Sequence, residues 1–348
     1  MKITRTIGLL ALLVIAIGFP LVFSNPAVTQ IAVFTLVFMI AATGWNIFSG
    51  YTGYIALGHA AYFGIGAYAL AIICQDWKIE GGFTPFLLMP LAGLVTAIFA
   101  LPLGAIALRT RRHTFVVITV ATFFILQLMA FNLRGLTNGS GGLSYPVPTW
   151  SGDIYNLPFY YVSLLLVLVA LALSWWIRNS KYGLGLLAIR DDEDRALGLG
   201  VKTSVFKLSA FVISAFFVGM AGAMYGYLIG SIYPPFAFDA LFDVAIALMV
   251  FMGGIGTLAG PILGTLILEP IKEYLALQFP ENGWYLVIYG ALFLIIIFFL
   301  PEGIVPSVRN YWLKRVTTRN TTKTDAGTAA QLKALSDSDS MLAEQGKK

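Results

Sequence analysis

An all-α integral membrane protein, a polytopic helix bundle of about ten transmembrane or re-entrant segments, is the fold class this sequence predicts. Three observations predict it. Of 348 residues, 58% are hydrophobic and 11% charged, and the mean hydropathy is +0.83, outside the soluble globular range. Apolar runs near the roughly 20 residues that a helix needs to cross a bilayer core recur along the whole chain. When those runs are threaded back and forth, 19 of the 22 Lys and Arg residues fall on one side, the signature of cytoplasmic loops.

The runs lie at about residues 6–23, 28–48, 53–74, 84–108, 114–133, 158–177, 206–229, 241–256, 259–278 and 284–300. The first follows Met1-Lys2-Ile3-Thr4-Arg5 and has the look of a signal peptide. Its length, and the lack of a small-x-small site in Ser24-Asn25-Pro26-Ala27, mark it instead as a first spanning helix. The pair at 241–278 is ambiguous between spanning and re-entering, because the first run is short and Gly253-Gly254-Ile255-Gly256 with Gly260-Pro261 breaks any continuous helix. Either path returns the chain to the same side, so the parity stays even. Both termini are then cytoplasmic, and only Lys78, Arg134 and Lys272 are external.

Three hydrophilic pieces remain: an external loop at 134–157, a cytoplasmic loop at 178–205, and a tail. The expected organisation is a membrane domain over 1–305 and a cytoplasmic tail over 306–348. Most of that tail, rich in Thr, Ser, Ala, Asp and Lys with no apolar period, reads as disordered. The single cysteine, Cys74, excludes a disulfide framework or cysteine metal cluster. The net charge of +5 is distributed as topology, not as a basic patch with interleaved aromatics, so no nucleic-acid partner is expected. Membrane lipid is.

The cytoplasmic loop carries the most information. Residues 186–197 favour one short helix, and Gly198 and Gly200 supply stop positions. Asp191, Asp192, Glu193 and Asp194 step by about 100° each around such a helix and cannot share a face. An acidic turn suits a protein partner better than an anionic lipid surface. The plainer reading is a solvated loop with Arg190 to Asp194 and Asp191 to Arg195 pairs at i,i+4.

Ala188-Ile189-Arg190-Asp191-Asp192-Glu193, followed by Ala196 and Gly200, resembles the coupling loop of ABC importer permeases of the branched-chain amino acid type, the LivH/LivM family, and within it the LivM-like subunit. In the related "EAA" pattern a glutamate, an alanine three positions on and a glycine at position seven recur, here Glu193, Ala196 and Gly200. Arg195 stands where alanine is commoner. Further resemblances follow in order. Residues 50–68, with Gly58-His59-Ala60-Ala61-Tyr62-Phe63-Gly64, are similar to the family's "SLGHAAFFGIGAY" helix. Thr137-Asn138-Gly139-Ser140-Gly141-Gly142-Leu143 is similar to an external Gly-rich loop. Gly253 to Pro261 resembles "GGxGTxxGP", and Phe299-Leu300-Pro301-Glu302-Gly303 the closing "LPxG". The likeness covers about residues 28–305.

The resemblance implies a permease subunit that moves branched-chain amino acids inward across the cell inner membrane. It implies four kinds of partner: a second, LivH-like permease, two cytoplasmic ATPases of the LivG and LivF type, and a periplasmic or lipid-anchored binding protein. Arg190, Asp191, Asp192 and Glu193 are the expected ATPase contacts, with Ala196 and Gly200 allowing close docking. Gly58, His59, Gly64 and Asn138 are candidates for the translocation pathway. Small residues around His59 also fit plain helix packing, and the histidine itself suits either a water path or an interhelical hydrogen bond. Asn138 fits a gate or a turn. Asn46, Gln127, Asn132, Asp239, Asp243 and Glu269 are polar groups in or near spans that suit a path or an interface equally.

No Walker A motif occurs, so ATP must be hydrolysed by partners and this chain is expected to be no enzyme. No catalytic set, cofactor or metal site is expected. Two rivals stand beside this reading: a urea or short-chain amide permease of the same architecture, and an ion-coupled secondary transporter, which would need paired intramembrane acids and no docking loop.

Overall fold

The computed structural model describes residues 2–23, 25–150, 152–279, 283–299, 303–308 and 310. In order, the helices are α1 (Lys2–Val22), α2 (Pro26–Trp45), α3 (His59–Asp76), α4 (Thr84–Ala107), α5 (Arg112–Asn132), α6 (Arg134–Thr137), α7 (Asn156–Asn179), α8 (Lys181–Asp191), α9 (Glu193–Gly198), α10 (Thr203–Ile229), α11 (Pro234–Ala237), α12 (Ala240–Gly253), α13 (Gly260–Gln278) and α14 (Trp284–Phe299). Ten of these have 14 residues or more among the described residues, one for each apolar run. The segments Pro26–Gly50, Thr84–Ala107, Arg112–Asn132, Asn156–Asn179, Thr203–Ile229 and Pro234–Gly253 are each long and apolar enough to cross a membrane. The all-α membrane bundle is therefore the observed fold. The strands are two residues each: β1 (Leu143–Ser144) pairs antiparallel with β2 (Ser231–Ile232), Leu143 opposite Ile232.

Two compact units divide the chain, residues 1–303 and 304–348. Of the second, residues 304–308 and 310 are helical; the rest of the expected disordered tail, and Leu300-Pro301-Glu302 of the closing motif, lie outside the described residues.

Burial ranks the helices of the first unit. Every residue from 33 to 50 is buried, so α2 is the central post, apolar all round as a fully enclosed helix must be. By contrast α5 buries only Phe115, Thr119, Phe123 and Ala130, a single stripe near i,i+4 spacing, and turns Val117, Phe124, Ile125 and Leu128 outward. That surface is suited to lipid. Small residues seat α3 on α10: a Cβ on Gly66 would run into the Gly219 backbone, and one on Gly222 into that of Phe63. Such close backbone approach is how membrane helices gain contact without a hydrophobic driving force.

Two elements depart from the expected map. The span expected at 53–74 begins as a helix only at His59. A π-helical turn (Asn46–Gly50) extends α2, Gly53 ends it with φ +72, and residues 53–58 run without helix. Side chains replace the lost ladder: Trp45 Nε1 donates to the Ala56 carbonyl at 2.8 Å, Ala56 N–H to Ser49 Oγ at 3.3 Å, and Leu57 N–H to Thr119 Oγ1 at 3.3 Å. Non-helical backbone within a membrane bundle is tolerated only where protein satisfies it in this way. The single helix expected over 186–197 is also divided. Asp192 is extended (φ −157°, ψ 110°), and its carboxylate accepts the Arg195 N–H at 3.0 Å, so it caps a new helix instead of continuing the old one.

Candidate functional site

The break between α2 and α3 leaves the amides of the first turn of α3 without intrahelical partners. Asp243, in the first turn of α12, supplies them: its two carboxylate oxygens accept His59 N–H at 2.8 Å and Ala60 N–H at 3.1 Å. A carboxylate at that end of a helix also meets the positive pole of the macrodipole. The cap comes from 184 residues downstream, and both partners are buried. His59 turns its ring the other way, where Nε2 and Ser214 Oγ of α10 are hydrogen-bonded at 2.7 Å. Its Nδ1 is buried without a hydrogen-bond partner among the described residues. His59 therefore joins three helices at the discontinuity, its ring closed in by Phe48, Tyr62 and Phe211. The neighbouring candidates are closely packed: a Cβ on Gly58 would meet the Thr119 carbonyl, and one on Gly64 would meet the Phe238 ring at 2.6 Å.

A second break, residues 254–259, joins α12 to α13. A Cβ on Gly264 would strike the Met249 carbonyl, so the two helices pack as a tight hairpin. Asn46 of the α2 extension holds the turn from one side, its amide oxygen accepting Gly256 N–H at 2.8 Å and its amide nitrogen donating to the Thr257 carbonyl at 2.9 Å. Arg178, in the last turn of α7, donates to the Gly256 carbonyl from the other. Gly256, with φ +73, has no room for a Cβ beside the Arg190 guanidinium and the Gly50 carbonyl.

The α8–α9 segment lies against both breaks. Arg190 reaches inward, donating through Nη1 to the Gly50 carbonyl at 2.9 Å, and its stem covers Gly53. Arg112, at the start of α5, donates to the Ile189 and Arg190 carbonyls at 3.1 and 2.8 Å, which closes the exposed end of α8. Glu193 is also turned inward: Lys207 Nζ of α10 donates to it at 2.5 Å, and the Tyr54 hydroxyl, from the first break, donates to its other oxygen. Burial would raise the Glu193 carboxyl, but the hydrogen bonds from Lys207 and Tyr54, with the Lys207 and Arg112 charges, outweigh it and hold the group below the ordinary glutamate value. A polar cleft of about 590 Å³ opens between this segment and the α4–α5 connection, lined by Arg109, Arg111 and Arg112 on one wall and Asp191 to Asp194 on the other.

Of the predicted loop residues, Asp191, Asp194 and Gly200 are exposed and Ala196 is buried. Gly200 has φ +86, a conformation that favours glycine. Asp192 pairs with Arg195 at 3.0 Å, in place of the i,i+4 pairs the single-helix reading expects. Sequence reasoning passed over three exposed apolar residues on the same segment: Leu184, Leu197 and Leu199 are 64%, 59% and 85% exposed. Leucines at the end of a loop that is otherwise charged were the available signal. Asn138 sits apart from all of these, in the left-handed conformation (φ 57°), with its amide nitrogen donating to the Gly142 carbonyl at 3.0 Å. It closes a tight turn. Among the described residues no group of three or more His, Cys, Asp or Glu side chains is placed to hold a metal.

A family model described as the branched-chain amino acid transport system / permease component matches residues 27–297, a range that contains both helix breaks and the α8–α9 segment. The chain belongs to this family. Among relatives, the high-affinity branched-chain amino acid transport system permease protein LivM of Salmonella typhimurium is 30% identical, over 88% of this chain and 76% of its own. The LivH permease protein of Escherichia coli is 27% identical, over 77% of this chain and 91% of its own. The autoinducer 2 import system permease protein LsrC of Yersinia pseudotuberculosis is 30% identical over 48% of this chain and 46% of its own. No solved structure matches. The chain is thus a multi-pass membrane permease of this family.

Proposed function

We propose that this permease is the LivM-like subunit of an ABC importer for branched-chain amino acids, paired with a LivH-like permease, two cytoplasmic ATPases and an external binding protein. The α8–α9 face and both termini are assigned to the cytoplasmic side, a reading supported by the 19 Lys and Arg residues that fall there. One observation supports the reading beyond family membership: the α8–α9 segment is fastened to the first helix break, through Arg190 to Gly50 and through Glu193 to Tyr54, while the Arg190 guanidinium also lies against Gly256 of the second.

That arrangement divides the labour along the segment. Asp191, Asp194, Leu197 and Leu199 face outward and form the docking surface for an ATPase, an apolar centre with a charged rim as protein interfaces require. Arg190 and Glu193 face inward and transmit. When ATP closes the ATPases, α8 and α9 move as a lever, Arg190 draws the Gly50 and Gly256 turns with it, and residues 53–58 take up the change in backbone. The two states differ in contacts, which is what an ATP-driven switch of access needs.

The test is reconstitution of the assembled transporter in proteoliposomes and measurement of L-leucine uptake with and without internal ATP. ATP-dependent uptake that is lost in Leu199→Asp, with the chain still inserted, supports the reading. Uptake driven by an ion gradient without ATP overturns it in favour of a secondary transporter. Competition by urea or acetamide, in place of isoleucine and valine, moves the cargo to the amide branch.

A further inference from the structure

One buried polar cluster of residues 1–303 takes no part in the proposed lever. In α13, Lys272 lies 2.6 Å from Glu269 and 3.3 Å from Glu273, with its ammonium 4.2 Å from the centre of the Phe38 ring. Beside it opens a cavity of about 430 Å³, lined by Lys272, Glu273 and Asp239 and by the rings of Phe34, Phe63 and Phe242. That volume falls within the range of about 300–1,000 Å³ typical of small-molecule sites. Two carboxylates and one ammonium thus converge on an aromatic chamber in the half of the bundle away from α8 and α9. Tyr289 of α14 also lines the chamber. It is 7% exposed, and its hydroxyl has no hydrogen-bond partner among the described residues. A buried donor left unpaired in this way costs free energy that a ligand acceptor would recover.

The geometry points to this cavity as the seat of one free amino acid with an apolar side chain, held by this subunit itself. Asp239 and Glu273 take its ammonium group. The Tyr289 hydroxyl and an N–H of Lys272 take its carboxylate. The phenyl rings of Phe34, Phe63 and Phe242 enclose its side chain. An ammonium and a carboxylate side by side, 3.3 Å apart, beside aromatic rings match the paired charges on the α-carbon of an amino acid and its apolar side chain, and neither a sugar nor a fatty acid offers both. The longer contact of Lys272 is the one to Glu273, so that ammonium can turn to a ligand carboxylate while keeping Glu269. The assignment rests on the importer reading for its choice of cargo.

The experiment is equilibrium binding of tritiated L-leucine to the assembled transporter in detergent, by scintillation proximity, without ATP. The variants are Asp239→Asn, Glu273→Gln and Tyr289→Phe; asparagine keeps the cap that Asp239 gives α12. Losing one charge-assisted contact weakens binding by about tenfold or more in the first two variants, with a smaller loss for Tyr289→Phe. Isoleucine and valine compete, whereas 4-methylpentanoate, which is leucine without its amine, does not. An unfolding temperature equal to wild type shows that each variant is folded, and Glu273→Asp, which keeps the charge, restores part of any loss. Wild-type affinity in all three variants, or equal competition by 4-methylpentanoate, overturns the site. ATP-driven leucine uptake that persists unchanged in the variants removes the cavity and leaves the importer standing. Leucine bound here with no ATP-driven uptake removes the importer and leaves the cavity.

Discussion

Two polar regions of this permease are built on different plans. Around the helix breaks, charged and polar side chains end on backbone: Arg190 on the Gly50 carbonyl, Arg178 on that of Gly256, Asp243 on the amides of His59 and Ala60. Around the cavity, charge meets charge on a single helix, and both the Tyr289 hydroxyl and one Glu269 oxygen are left unpaired among the described residues. A side chain fixed to a carbonyl moves that backbone whenever it moves, and so transmits displacement. A cluster with surplus acceptors and a free donor holds capacity for something that arrives. The contrast separates moving parts from holding parts, and kinetics can separate them too.

The largest effect is expected at the lever. Arg190→Ala should lower the maximal rate of ATP-driven uptake by about 100-fold, from the roughly 1.5–3 kcal/mol that a hydrogen bond from a charged group contributes, with KM within about twofold. Uptake kinetics on wild-type and variant proteoliposomes check this, and a raised KM at normal rate would erase the distinction. Glu273→Gln should do the reverse, raising KM about tenfold with the rate within about twofold, because it removes binding common to ground and transition states. Third in size is the cap across the break. Asp243→Ala should cost about 1–3 kcal/mol in unfolding free energy, and Asp243→Asn should recover only part of it, because the amide has one accepting oxygen where the carboxylate offers two to His59 and Ala60 N–H; denaturant titration in detergent measures both.

The smallest effect concerns Glu193. Its folded value is depressed, so its contribution is complete above the ordinary glutamate pKa of about 4.3 and is lost as pH falls through the lower folded value. Wild type and Glu193→Gln should therefore differ in melting temperature at pH 7 and converge as the pH falls below about 4. A gap independent of pH would mean that Glu193 acts by shape alone.

The ten helices were legible because each needs about 20 apolar residues and announces itself by composition. The start of α3 was not, since residues 53–58 are as apolar as the helix they precede and hydropathy cannot register a change of backbone. Only Gly53 and Gly58 hinted at it. The division at Asp192 was hidden by four acids in a row, of which one caps and three do not. In the α8–α9 segment the residue types were readable and their directions were not: whether Arg190 and Glu193 turn in or out depends on Gly50, Tyr54 and Lys207, which lie in other elements. The cavity shows the same limit, because Glu269, Lys272 and Glu273 stand together in sequence while the rings around them come from α2, α3 and α12.

The cap that Asp243 places on α3 also sets an order of events at birth. Ribosomes add about 5–20 residues per second, so the 184 residues between His59 and Asp243 take about 10–40 s to make. Throughout that interval the first amides of α3 are without their acceptor. The segment must wait beside water, the insertion machinery or lipid headgroups until α12 emerges. A truncation that ends before α12 should leave His59 reachable by water-soluble reagents, and one that ends after α13 should not. Assembly of this permease is thus closed from its C-terminal half backward, with one carboxylate as the latch.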